Sequence, residues 1–155
     1  MIIYKDFLTG DEMMSDSYPI KEVDDVIFEV DCDAIYPESV AGDDEPVEFN
    51  NVIYSFRLQP TTYDKKTYVS SLRSYLKIVK NRLKKIGKNP EYIANFEKNA
   101  QDFLKTKLLP NFDDLEFYTG ESMDLDGMIA VMGYREDGTT PYFMFWKDGL
   151  KEMRI

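Results

Sequence analysis

The sequence predicts an α+β domain, and three observations carry that prediction. Apolar, β-branched runs lie towards both ends of the chain, while the middle keeps a three-to-four residue apolar spacing. Strands, two helices and then strands follow in that order, without the alternation a parallel sheet needs. Asp126-Gly127 and Asp137-Gly138 mark turns among the closing strands, both favourable hairpin dipeptides. With 155 residues, the expectation is one domain spanning 1–155, large enough for a single core.

Each element follows from local chemistry. Ile2 to Phe7 alternates loosely and reads as an edge strand, followed by a Thr-Gly-Asp turn. Met13 to Ile20 is ambiguous, because Pro19 is unsuited to a regular central strand. Val26 to Val30 is an apolar, β-branched strand. The acidic run 31–48, DCDAIYPESVAGDDEPVE, reads as a mobile loop. Phe49 to Leu58 returns to strand character, with Val52, Tyr54 and Phe56 on one face.

The helical hairpin is expected over 62–109. Thr62 or Asp64 caps a helix whose stripe is Tyr68, Leu72, Tyr75/Leu76, Val79, Leu83 and Ile86. Gly87 suits the left-handed residue past its end. Asn89-Pro90 supplies the cap and first-turn proline of the second helix, which buries Ile93, Phe96, Ala100, Phe103/Leu104 and Leu108 and ends at Pro110. Leu115 to Thr119, Met128 to Tyr134 and Thr140 to Trp146 are then three strands.

Composition excludes several functions. The chain has no histidine and one cysteine, Cys32, so Ser–His–Asp and Cys–His nucleophile pairs, a structural zinc site and an intrachain disulfide are all ruled out. No apolar run approaches the roughly 20 residues of a membrane span. The N-terminus lacks the basic and apolar regions of a secretory signal, which makes the cytoplasm the expected location. A net charge of −10 argues against nucleic-acid binding. That charge is unevenly spread: between Asp64 and Lys107 twelve Lys/Arg face four Asp/Glu. Lys77, Lys80, Arg82, Lys84, Lys85 and Lys88 crowd the tip side of the first helix. Such a field suits an acidic protein surface, whereas the plainer reading is a solvated helix face.

The stretch GESMDLDGM imitates part of a calcium loop, with Asp124 and Asp126 ahead of Gly127. Aligned on that glycine, Ser122 falls at the first position and Gly133 where the bidentate Glu belongs, so a polar turn is the better reading. A hydrolase built on Glu121, Asp124 and Asp126 is the enzymatic alternative, and an unfavoured one, since acids so close along a turn splay apart. No phosphate-cradling glycine motif is present.

Phe112, Phe117-Tyr118-Thr119-Gly120-Glu121, Asp126-Gly127-Met128-Ile129-Ala130 and Tyr134 together resemble the C-terminal signature of the translationally controlled tumour protein family. The closing YREDGTTPYFMFWKDGL and the opening MIIYKDFLTGDEMMSDSYPIKEV, with Asp11-Glu12-Met13 and Ser15-Asp16, are similar to that family as well. These segments cover about half the chain and agree in order and spacing. The resemblance implies a β-tent of twisted antiparallel sheets with a projecting helical hairpin, similar to a zinc-bearing Rab exchange factor but without zinc. It also implies a non-enzymatic, cytosolic, multi-partner protein. The family's roles include calcium binding, microtubule association, contact with small GTPases and translation elongation factors, and anti-apoptotic interactions.

Glu12 and Glu121 match positions the family uses for a Ras-like GTPase, and the basic hairpin matches its tubulin-associated region. No cofactor is required on this reading. Weak calcium binding, roughly 10⁻⁴ to 10⁻³ M, is expected of Asp31, Asp33, Asp43, Asp44 and Glu45, with Glu38 and Glu48 nearby. One departure is clear: the family's long acidic loop is reduced here to SVAGDDEPVE and lacks its Asn-x-Ser-x-Glu signature. The resemblance therefore does not extend to roles tied to that loop, regulatory phosphorylation and some calcium contacts among them.

Overall fold

A computed structural model describes residues 1–37 and 47–155. Its strands pair antiparallel throughout. One sheet has the order β11-β1-β2, formed by Leu150–Arg154, Ile2–Asp6 and Glu12–Ser15. The second has the order β3-β4-β10-β9-β8-β7, from Ile20–Val23, Ile27–Asp31, Pro141–Trp146, Ala130–Tyr134, Glu116–Thr119 and Gln59–Thr61. A short ladder pairs β5 (Ala34–Ile35) with β6 (Phe49–Asn50). The expected α+β class with antiparallel sheets is what the chain adopts.

Strand β10 is flanked by β4 and β9, and Phe143, Met144, Phe145 and Trp146 are all buried. A strand covered on both faces reads as a continuous apolar run, which is how its sequence reads. Phe103 meets Trp146 edge-on at 5.9 Å, joining the helices to this sheet. Tyr68, Phe112 and Phe117 form a second aromatic cluster, with Tyr68 and Phe117 centroids 4.7 Å apart.

Helix α2 (Lys65–Lys85) begins at Asp64, whose carboxylate accepts the Thr67 N–H at 2.7 Å. Gly87 has φ +87, as a left-handed terminator should. Asn89 caps α3 (Pro90–Phe103) by accepting the Tyr92 N–H at 2.7 Å. Beyond Phe103 the helix widens to π geometry over Leu104–Leu108 and tightens to 3₁₀ over Leu109–Asp114. The tip, residues 84–91, is exposed throughout. Ile86, expected in the buried stripe, is 55% exposed there, because the helix has already ended at Lys85.

Four further expectations need correction. Ile2–Asp6 is no edge strand; it lies between β11 and β2. The strand expected over Phe49–Leu58 is two residues of β6 followed by a helix, α1 (Asn51–Phe56). Asn50 turns the chain by accepting N–H bonds from Val52 and Ile53 at 3.0 and 3.1 Å. The acidic run 31–48 is not loop throughout: Asp31 closes β4 and Ala34–Ile35 form β5, while residues 38–46 lie outside the described residues. Asp126-Gly127 is not a two-residue hairpin; β8 and β9 pair across the longer link 120–129. By contrast Asp137-Gly138 does turn β9 into β10, with Gly138 at φ +75 and Arg135 N–H bonded to Thr140 C=O at 2.9 Å.

Candidate functional site

The turn between β1 and β2 is built round Asp6, which is 1% exposed. Its Oδ1 accepts from Leu8 N–H at 3.1 Å and Tyr75 O–H at 3.2 Å. Its Oδ2 accepts from Thr9 Oγ1 at 3.0 Å and Met128 N–H at 2.8 Å. One carboxylate therefore ties the first turn, helix α2 and the 120–129 link. Burial, reinforced by the Asp6 carboxylate, pushes the Tyr75 phenol well above its ordinary range and keeps it a donor.

Asp11, at the end of the same turn, accepts from Ser122 Oγ at 2.6 Å and from Ser122 N–H at 3.3 Å. Gly120 passes so close to Asp11 that a Cβ would collide with its carboxylate. These bonds bring together the turns that carry Glu12 and Glu121. Glu12 opens β2 opposite Lys5 and is exposed. Glu121 is exposed too, and meets Arg57, the left-handed residue ending α1, at 3.3 Å. With side chains 58% and 68% exposed, that pair contributes about 0–1 kcal/mol. Nothing in the local sequence announces the Asp6–Met128 and Asp11–Ser122 bonds, each of which spans more than a hundred residues.

Asp124 and Asp126 do not converge on a substrate-sized space. Asp124 Oδ1 accepts Asp126 N–H at 2.9 Å and its C=O accepts Gly127 N–H at 3.2 Å, a self-contained Asx turn. Asp126 lies on the rim of an open groove against α2. Glu121 is directed to Arg57 instead.

The six basic positions divide. Arg82 turns inward, donating to Asp148 C=O at 2.9 Å and stacking 4.9 Å from the Phe7 ring. Lys80 pairs with Glu97 at 2.5 Å, and Lys88 sits 4.8 Å above Tyr92. Lys77, Lys84 and Lys85 are exposed, and among the described residues none of them has an ion pair.

Of the calcium candidates, Asp31 Oδ1 accepts Arg135 Nε and Nη2 at 2.8 and 2.6 Å, while Nη1 reaches Glu29 at 2.8 Å. The guanidinium also stacks 3.8 Å from Tyr142. The Asp33 N–H donates to Asn51 Oδ1 at 2.9 Å, fixing the base of the acidic segment. Asp43, Asp44 and Glu45 lie outside the described residues. Among the described residues, no three His, Cys, Asp or Glu side chains are grouped to hold a metal. Burial pushes the Cys32 thiol up to about 11, so it stays protonated. No helix among the described residues is long and apolar enough to cross a membrane.

Comparison with known proteins agrees with this architecture. A family model described as translationally controlled tumour protein matches residues 1–151. The chain is similar to the translationally controlled tumour protein homologue of Neurospora crassa, 50% identical over 170 aligned positions covering all of both chains. The Schizosaccharomyces pombe homologue is 46% identical over 166 positions, with 97% of each covered. A solved structure of the S. pombe translationally controlled tumour-associated protein superposes with a TM-score of 0.86 at 45% identity over all of both chains. The Caenorhabditis elegans protein gives 0.75 at 25% identity, covering 100% of this chain and 99% of that one.

Proposed function

The chain belongs to the translationally controlled tumour protein family, and on that premise we propose that it is a non-enzymatic docking protein whose acidic end receives a Ras-like small GTPase. The observation that carries this reading is the Asp11–Ser122 contact. It joins the turns of Glu12 and Glu121 and leaves both carboxylates at the surface. Two exposed anions held on ordered backbone suit the Lys, Arg or main-chain N–H groups of a folded partner. Of the hydrolase alternative's carboxylates, Glu121 meets Arg57 and Asp124 closes an Asx turn, which leaves Asp126 without a second carboxylate beside it at the groove.

The test is a titration of the whole chain against purified Ras-like GTPases loaded with GDP or GTP. A Glu12→Gln/Glu121→Gln variant should bind about tenfold or more weakly at low salt, and the gap should narrow as salt rises. Unchanged binding would refute the assignment. Nucleotide release measured in the same titration separates exchange activity from docking.

A second reading rests on a separate face. Lys77, Lys84 and Lys85, without an ion pair among the described residues, present positive charge in an otherwise acidic chain, which favours acidic tubulin tails as a further partner. Contact with translation elongation factors and weak calcium binding by the 31–48 segment complete the proposed cytoplasmic role. The first follows from family membership, the second from the acidic composition of that segment.

A further inference from the structure

The acidic link that carries Glu121 also carries two exposed apolar side chains. Met123 is 64% and Leu125 53% exposed, and they alternate with Asp124 and Asp126. Leu8, 41% exposed, lies on the β1–β2 turn that Asp6 and Asp11 fasten to this link. One exposed apolar side chain needs no explanation, but three stand on two turns that are pinned together.

Met123 also has a backbone φ of +61. Asp24, Asp25 and Arg57 share that sign of φ; aspartate adopts it readily and Arg57 ends a helix, whereas Met123 lies in a link that ends none. Glycine would adopt it without strain. Within the monomer, a methionine here gains neither burial nor an unstrained backbone.

We propose that Met123 and Leu125 are the apolar anchors of a docking surface whose occupant is a folded protein presenting an apolar pocket rimmed by Lys and Arg. The proposal rests on the docking reading above and names what supplies the affinity at that same end. Charge complementarity identifies the occupant: Glu12, Glu121, Asp124 and Asp126 stand on the two fastened turns, so a bare apolar partner would desolvate carboxylates without repaying them. Charges steer the encounter, while desolvated apolar anchors hold the complex. A thioether adapts its shape to an apolar cavity. Leu125 also lines an open groove of about 560 Å³ against α2, with Asp126 beside it and Ser70, Ser74, Ile78 and Lys66 facing it.

Three variants of the full chain separate the contributions in calorimetric and stopped-flow titration with a Ras-like GTPase. Met123→Ser/Leu125→Ser should weaken binding about tenfold or more with its salt dependence retained. Glu12→Gln/Glu121→Gln should slow association and flatten the salt dependence. Met123→Gly should raise the thermal midpoint while weakening binding, a combination that a purely structural methionine would not give. Binding of the serine variant within about twofold of wild type overturns the proposal.

A photo-crosslinking residue placed at position 123, with Lys98 as the control position, decides the case in which no GTPase binds wild type. An adduct mapped to an apolar pocket flanked by Lys and Arg on another protein sustains the anchors and rejects only the GTPase. An adduct with a second copy of this chain, or none above the control, overturns the anchors.

Discussion

The buried carboxylate of Asp6 accepts the main-chain N–H of Met128 at 2.8 Å, across 122 residues of sequence. That bond positions the link bearing Glu121 relative to the turn bearing Glu12.

Asp6→Ala should therefore destabilise the fold by about 2–4 kcal/mol, because Leu8 N–H, Thr9 Oγ1, Tyr75 O–H and Met128 N–H lose their acceptor together. Urea unfolding measures it directly. A loss below about 1 kcal/mol would mean that water replaces the carboxylate at little cost.

Gly127→Ala probes the same junction by crowding. Its Cβ would lie 2.5 Å from both Asp6 Oδ2 and Thr9 Cγ2. We expect a loss of about 1–3 kcal/mol, together with faster amide exchange at Met128, since the link must move away from Asp6 to make room. Gly138→Ala is the informative comparison: nothing crowds that position, and only its left-handed backbone is penalised.

Charge reversal on α2 should have two distinct outcomes. Lys77→Glu/Lys84→Glu/Lys85→Glu leaves the core intact and should weaken microtubule co-sedimentation, more at low than at physiological salt, where screening acts within about 8 Å. Arg82→Ala should instead cost about 1–2 kcal/mol of stability, because it removes a bond to Asp148 C=O and the stack on Phe7. Equal co-sedimentation by the triple variant and wild type at both salts would reduce the face to a solvated helix surface.

Asp137 gives a pH signature. Bonds from Thr140 Oγ1 and the N–H groups of Thr140 and Thr139 lower its carboxyl from 3.8 to about 2. A depressed carboxyl stabilises the fold above its unfolded value and loses that contribution as pH falls through the folded one. The stability gap between wild type and Asp137→Asn should thus be constant from neutral pH to about 4 and shrink as pH approaches about 2. A gap that stays flat to pH 2 would remove the turn from the acid response.

Where structure depends on neighbouring residues, the sequence is a good guide. Asp64, Gly87 and Asn89-Pro90 mark the hairpin's boundaries by capping chemistry that needs no distant partner. The 49–58 segment misleads because Val52, Tyr54 and Phe56 satisfy strand alternation, and only the Asn50 side chain decides for a helix. Strand β1 reads as an edge because its partner β11, with the unremarkable sequence LKEMR, lies at the other end of the chain. The candidate site shows the same division. Glu12 and Glu121 stand out as candidates from adjacent motif residues, whereas the Asp6–Met128 and Asp11–Ser122 bonds emerge only once two remote turns meet. Likewise Arg82 is indistinguishable from its basic neighbours until Phe7 and Asp148 are placed beside it.

The pairing of Ile2 with Arg154, extended by the Ile155 N–H to Met1 C=O bond at 3.0 Å, has a consequence for biosynthesis. On a ribosome β1 emerges more than a hundred residues before β11, the strand that covers its open edge. Long-range pairing of this kind is slow, and the waiting strand is exposed to misassociation. The helical hairpin, being local, can form long before. A nascent or truncated chain would then display its basic helices while the first sheet, and with it the seat of Glu12, is still incomplete.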